Sequence, residues 1–155
     1  MLHVVLVEPE IAPNVGNVAR TCAATGCRLH LVGPLGFHLD DKSLRRASVD
    51  YWSAVDWVRY CDWQEFIERV GTDARLWLFT ARGGLRYHKV AYQNGDYLVF
   101  GCESRGLPET LLKEHRTRWV YIPMPGGRVR GLNLATAVGI AVFRALETIG
   151  ALEAA

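Results

Sequence analysis

Apolar residues along the chain fall into short continuous runs, separated by segments of helical spacing. Leu2 to Val7 is apolar apart from His3, and it reads as a central parallel strand. Similar runs follow at Arg28–Val32, Val55–Tyr60, Leu76–Thr80, Tyr97–Phe100 and Trp119–Ile122, giving six predicted strands. Between them, Asn14 is placed to cap a helix that ends at Gly26. Asp62 and Glu65 form a capping box for a helix through Val70, and Pro108 suits the first position of a helix to about Lys113. Asp40-Asp41 opens a short helix through Leu44 and Ala47, with Arg45-Arg46 late in it. The longest helical pattern runs from Leu132 to about Ile149, with Leu134, Val138, Ala141, Val142 and Ala145 on one face. Asn94-Gly95 is a turn. The alternation of strand and helix predicts an α/β fold: a mostly parallel sheet with helices on both faces.

The first helix has an unusual polar side. Val15, Val18, Ala19, Cys22 and Ala23 share one face, while Asn14, Asn17, Arg20, Thr21 and Thr25 share the other. A solvated face normally carries Lys and Glu, so short polar groups with one Arg and Gly16 suggest close contact with a ligand or a partner subunit. The last strand empties into a glycine-rich, basic loop, Pro123 to Gly131, before the final helix. In α/β folds such a place often takes a small molecule; it can equally be a plain connection.

Composition narrows the classes. A chain of 155 residues is expected to form one domain, residues 1–155, with no accessory RNA-binding domain. A net charge of +2 is too small to imply nucleic acid, and the basic residues cluster instead at Arg45-Arg46, Arg82 to Lys89, Arg116 to Arg118 and Arg128 to Arg130. Cys22, Cys27, Cys61 and Cys102 form no Cys-x-x-Cys pair and lie at no zinc spacing, so reduced thiols in a cytoplasmic protein and no metal are expected. No signal peptide or membrane span is expected either. A dinucleotide fingerprint, a Walker A loop and a nucleophile elbow are all missing, and the five histidines have no recognisable nucleophile partner.

Three strand-end segments carry the remaining chemistry. They are Asn14-Val15-Gly16-Asn17-Val18-Ala19-Arg20-Thr21, Phe100-Gly101-Cys102-Glu103-Ser104-Arg105-Gly106-Leu107-Pro108, and Ile122-Pro123-Met124 with Arg130-Gly131-Leu132-Asn133-Leu134. In order and spacing they resemble the three motifs of the SPOUT class of S-adenosylmethionine-dependent RNA 2′-O-methyltransferases. Asp40-Asp41-Lys42, Arg45-Arg46-Ala47 and Asp50-Tyr51 are similar to the small members that methylate the tRNA wobble ribose.

The resemblance implies a deep C-terminal trefoil knot around Gly101 to Ile149, an exception to the rule that connections do not thread loops. It implies a homodimer with the first helix at the interface, and a tRNA substrate gripped at its anticodon arm. The implied reaction is methyl transfer from S-adenosylmethionine, leaving S-adenosylhomocysteine, to the ribose of nucleotide 34, a cytidine or modified uridine, of tRNA-Leu. Alternatives are another tRNA position, ribosomal RNA, or a catalytically silent knotted RNA-binding protein.

Carried over by position, the catalytic residues are Arg20, Asn14, Glu103 and Asn133. The cofactor-binding residues are Phe79, Gly101, Ile122, Gly131 and Leu132, with Gly101 and Gly131 expected to allow close backbone approach. Arg82, Arg86, Lys89 and Arg130 are the candidates for RNA phosphate. The chain departs from many relatives at Gly131 and Ala135, where serines are common, and its loop Gly126 to Val129 is one residue longer.

Overall fold

A computed structural model describes residues 1–39, 42 and 49–154. The expected helix from Asp40 to Ala47 lies, apart from Lys42, outside the described residues. In chain order the strands are β1 (His3–Val7), β2 (Arg28–Val32), β3 (Trp57–Tyr60), β4 (Leu76–Phe79), β5 (Leu85–Arg86), β6 (Tyr97–Phe100) and β7 (Trp119–Tyr121). The α-helices are α1 (Ala12–Thr25), α2 (Trp63–Val70), α3 (Glu109–Glu114) and α4 (Leu134–Thr148).

The strands form one sheet in the order β3-β2-β1-β6-β4-β7-β5, and every pairing in it is parallel. The period of two along each strand sends side chains to opposite faces. On one face Val4, Leu6, Leu29, Leu31, Leu98 and Phe100 meet α1 and α4. On the other, Val5, Val7, Val32, Leu78 and Val99 meet Phe66 of α2 and Leu111 and Leu112 of α3. Helices thus cover both faces, as the apolar runs require.

Several boundaries differ from expectation. Helix α1 starts before Asn14: Ile11 is its N-cap and offers no side-chain bond, and Pro13 sits in the first turn. Its C-terminus is as expected, with Gly26 at φ 74°. Pro108 is the N-cap of α3, not its first residue. Helix α4 starts at Leu134, because the Asn133 side chain accepts from Thr136 N at 3.2 Å and leaves Leu132 outside. The third strand shrinks to Trp57–Tyr60, and a 3-10 turn covers Val49–Ala54. Strand β5 was not expected; it is two exposed residues without an apolar pattern. Asp62 caps α2 as expected, its Oδ1 accepting from Glu65 N at 2.9 Å, but the Glu65 side chain accepts from Cys61 N at 3.2 Å, one residue before the cap, so the reciprocal half of the box is displaced.

The turn at Asn94-Gly95 leads to Asp96, whose carboxylate is fully buried. It accepts from Arg75 Nε at 2.7 Å, Trp77 Nε1 at 2.8 Å and Gln93 N at 2.8 Å. Those partners make the buried charge tolerable and tie the start of β4 to the start of β6.

Candidate active site

In an all-parallel sheet the strand C-termini share one edge, and their loops converge there. Loops following β1, β4, β6 and β7 enclose a cavity of about 610 Å³. Its floor is apolar: Phe79 stacks on Phe100 with centroids 4.6 Å apart and planes 18° apart, and Val120 and Leu134 complete it. Asn14, Glu103 and Asn133 supply polar groups at its wall.

Those three side chains form one network. Glu103 Oε1 accepts from Glu10 N at 2.9 Å, and Oε2 accepts from Ile11 N at 2.9 Å and from Asn14 Nδ2 at 3.2 Å. Asn14 Oδ1 in turn accepts from Asn133 Nδ2 at 3.0 Å. Glu103 therefore takes up amides at the start of α1, where a carboxylate also suits the helix dipole and where Ile11 offers no cap of its own. Asn14 belongs to the polar side of α1 but is buried. Part of that polar face thus serves the chain's own fold.

Among the cofactor candidates, Phe79, Gly101, Ile122, Gly131 and Leu132 all line the cavity. The two glycines differ. A Cβ on Gly101 would stand 2.1 Å from Gly106 C and 2.2 Å from Leu107 N, because the loop folds back on itself through a Cys102–Gly106 bridge. A Cβ on Gly131 would meet nothing within 4 Å. Gly101 is therefore required by the packing of its own loop, whereas no neighbour within the chain requires a glycine at Gly131.

The arginines and lysine divide likewise. Arg82 and Arg130 line the cavity. Arg82 pairs with Glu109 and lies over the Trp119 ring, 5.1 Å from its centroid. Arg86 and Lys89 are exposed and stand outside the cavity lining. Arg20 is exposed on α1, six residues or about 9 Å of helix rise beyond Asn14, and does not line the cavity of its own chain.

Sequence reasoning missed Glu10, which holds the loop after β6 by its side chain. Its position just ahead of the first motif is a signal only once the two loops are known to meet. No group of three His, Cys, Asp or Glu side chains able to hold a metal occurs among the described residues.

The model of the SpoU rRNA Methylase family matches residues 1–143. The chain belongs to that family. A tRNA (cytidine(34)-2′-O)-methyltransferase of Saccharophagus degradans is 47% identical, with 97% of each chain covered. A solved structure described as giving insight into the 2-OH methylation of C/U34 on tRNA superposes with a TM-score of 0.91 at 49% identity, covering 96% of this chain and 95% of that one. An AdoMet-bound rRNA methyltransferase of Sinorhizobium meliloti superposes with a TM-score of 0.84 at 27% identity, over 94% of this chain and 56% of its own. Membership of this methylase family makes the chain an RNA methyltransferase by descent, and the second and third motif segments supply much of the cavity lining, with Asn14 from the first.

Proposed function

We propose that this protein transfers a methyl group from S-adenosylmethionine to the ribose 2′-hydroxyl of nucleotide 34 in tRNA. The observation that carries the reading is the cavity at the strand ends, walled by Asn14, Glu103 and Asn133, in a chain nearly half identical over its length to tRNA (cytidine(34)-2′-O)-methyltransferases.

The cavity suits the donor. A volume of about 610 Å³ is that of a small-molecule site. The donor's flat adenine matches the apolar lining that Phe79, Ile122 and Leu132 contribute, and backbone groups at Gly101 and Gly131 can read its polar edges. When bound, the donor supplies an electrophilic sulfonium methyl. Glu103, Asn14 and Asn133 hold the loops in register around it, since their polar atoms are already committed to one another.

Arg20 acts on the nucleophile. A guanidinium stays protonated, so it stabilises negative charge developing on the 2′-oxygen, and the hydroxyl proton passes to solvent water as the O–C bond forms and the S–C bond breaks. Because Arg20 lies outside the cavity of its own chain, a homodimer packed on α1 is what would bring it to the reacting ribose of a neighbouring site. Exposed Asn17 on α1 and Phe143 on α4 are available to such an interface. Arg82 and Arg130 at the cavity, with Arg86 and Lys89 beyond it, would take phosphates of the anticodon arm, positioning the RNA without reading bases.

A C-terminal trefoil knot belongs to the same reading. Strand β7 is inserted between β4 and β5, and a Cβ on Gly84 would lie 2.4 Å from Trp119 O. The β4–β5 connection must therefore cross β7 to reach its outer edge, where Gly84 runs close beside Trp119. Residues 1–155 would act as one methyltransferase domain in the cytoplasm. The test is methyl transfer from labelled S-adenosylmethionine to bulk tRNA, with modified nucleosides mapped by mass spectrometry. Ribose methylation at nucleotide 34 is expected, on tRNA-Leu; donor binding without methylation there would overturn the substrate.

A further inference from the structure

Two carboxylates exchange places between the loops after β1 and β6. Glu103, on the second loop, accepts from the backbone N of Glu10 and of Ile11 on the first, at 2.9 Å each. Glu10 returns the contact: its Oε1 accepts from Ser104 N at 2.9 Å and from Ser104 Oγ at 2.7 Å. The Ser104 side-chain and backbone hydrogen bonds hold the Glu10 carboxyl below its usual range.

The backbone of Glu10 is packed against Gly36. A Cβ on Gly36 would lie 2.8 Å from Glu10 Cα, and Gly36 N donates to Pro9 O at 2.9 Å. The loop after β2 thus backs the loop after β1, which in turn grips the loop after β6. That last loop is itself closed, Cys102 N donating to Gly106 O at 3.3 Å and Gly106 N to Cys102 O at 3.0 Å. A closed loop moves as a body, so one clamp at Ser104 fixes the standing of Gly101 and Cys102 in the cavity. Glu10 itself does not line the cavity.

We propose that Glu10 is a positioning residue for methyl transfer, clamping Ser104 so that the Gly101–Leu107 loop stands at the height at which the donor side of the cavity is formed. The inference rests on the donor reading above. Glu103 ties the loop to the Glu10 and Ile11 amides and to Asn14 of α1, and the Glu10 side chain adds a second tie at the next residue, Ser104. Losing the second tie leaves the fold in place and lets the loop tilt about the first.

The test uses the full chain with Glu10→Ala, Glu10→Gln, Ser104→Ala and the double variant Glu10→Ala/Ser104→Ala. Titration calorimetry with S-adenosylhomocysteine reads the site directly, and steady-state kinetics add KM for each substrate. Glu10→Ala is expected to weaken binding about tenfold, the scale of losing hydrogen bonds to a charged acceptor. Glu10→Gln retains an oxygen that accepts from both Ser104 groups, so it should recover most of the affinity. Ser104→Ala removes only the Oγ bond and should cost about threefold in the wild-type background, and nothing further beside Glu10→Ala. KM for the donor should rise while KM for tRNA holds; mere loss of folded protein would lower kcat and leave both KM values alone.

Unchanged donor affinity in Glu10→Ala, or a Ser104→Ala effect that persists undiminished beside it, overturns the inference and leaves the donor reading standing. Wild-type protein that binds no S-adenosylhomocysteine overturns both. Should Glu10→Ala fail to fold, Ser104→Ala alone decides: affinity equal to wild type would end the proposal.

Discussion

Asn133 Nδ2 donates to Asn14 Oδ1 at 3.0 Å, joining the first turns of α1 and α4 across 119 positions of sequence. The same Asn133 caps α4 through Thr136 N. One side chain therefore starts a helix with its oxygen and fastens another helix with its nitrogen.

The two duties separate by substitution. Asn133→Ser keeps a capping oxygen but cannot span to Asn14, whereas Asn133→Ala loses both contacts. A lost cap costs about 1 kcal/mol. A buried Asn14 oxygen left unpaired costs about 1–3 kcal/mol more. Urea unfolding should show Ala less stable than Ser, and methyl transfer should fall in both. Full activity in Asn133→Ser would mean that the Asn14 contact does not support the site.

What was legible in the sequence was the sheet and the chemistry-bearing residue types. Strands β2 and β6 fall on their expected residues: β6 is a continuous apolar run, and β2, though it carries Arg28 and His30, is closed by Gly33-Pro34. Strand β5 carried no such signal, since Leu85 and Arg86 are both exposed and their pairing with β7 comes from the topology alone. Asn14, Glu103 and Asn133 were found through motif resemblance, but their contact was not. It depends on β6 lying beside β1 in the sheet, an order no local pattern encodes. Placing Asn14 as the helix cap was the natural local inference, and it failed because Glu103, 89 positions away, already takes up Ile11 N and binds Asn14 itself.

The two motif glycines should respond oppositely to an added side chain. Gly101→Ala forces a carbon to within 2.1 Å of the Gly106 backbone, and backbone atoms cannot give way as a flexible side chain can. Overpacking typically costs about 1–3 kcal/mol, and here the displaced atoms form the cavity wall, so donor binding should be lost along with stability. Gly131→Ser meets no atom within 4 Å and should unfold within about 0.5 kcal/mol of wild type. Denaturant midpoints and S-adenosylhomocysteine titration check both. A stable, binding-competent Gly101→Ala would contradict the packing described for this loop.

A half-buried and a buried imidazole, His3 and His30, set a pH limit on the fold. His3 Nδ1 and His30 Nε2 lie 2.8 Å apart, and His30 Nδ1 lies 2.8 Å from the Tyr60 hydroxyl, a chain across β1, β2 and β3. Burial, followed by the Arg28 charge, lowers His3 to about 4. Burial, followed by the His3 and Arg28 charges, lowers His30 to about 3. An unfolded histidine takes up its proton near pH 6.5, so between there and about 4 the unfolded chain binds more protons than the folded one. Stability must then be greatest above about pH 6.5 and fall as pH drops through this window. Urea midpoints measured from pH 7.5 to 5.0 should decline below pH 6.5 in the wild type and decline less in His3→Gln/His30→Gln. That variant is expected to be weaker at pH 7.5, having lost the exchange between the rings. Parallel curves for the two proteins would show that the imidazoles titrate alike folded and unfolded, and that burial does not hold them neutral.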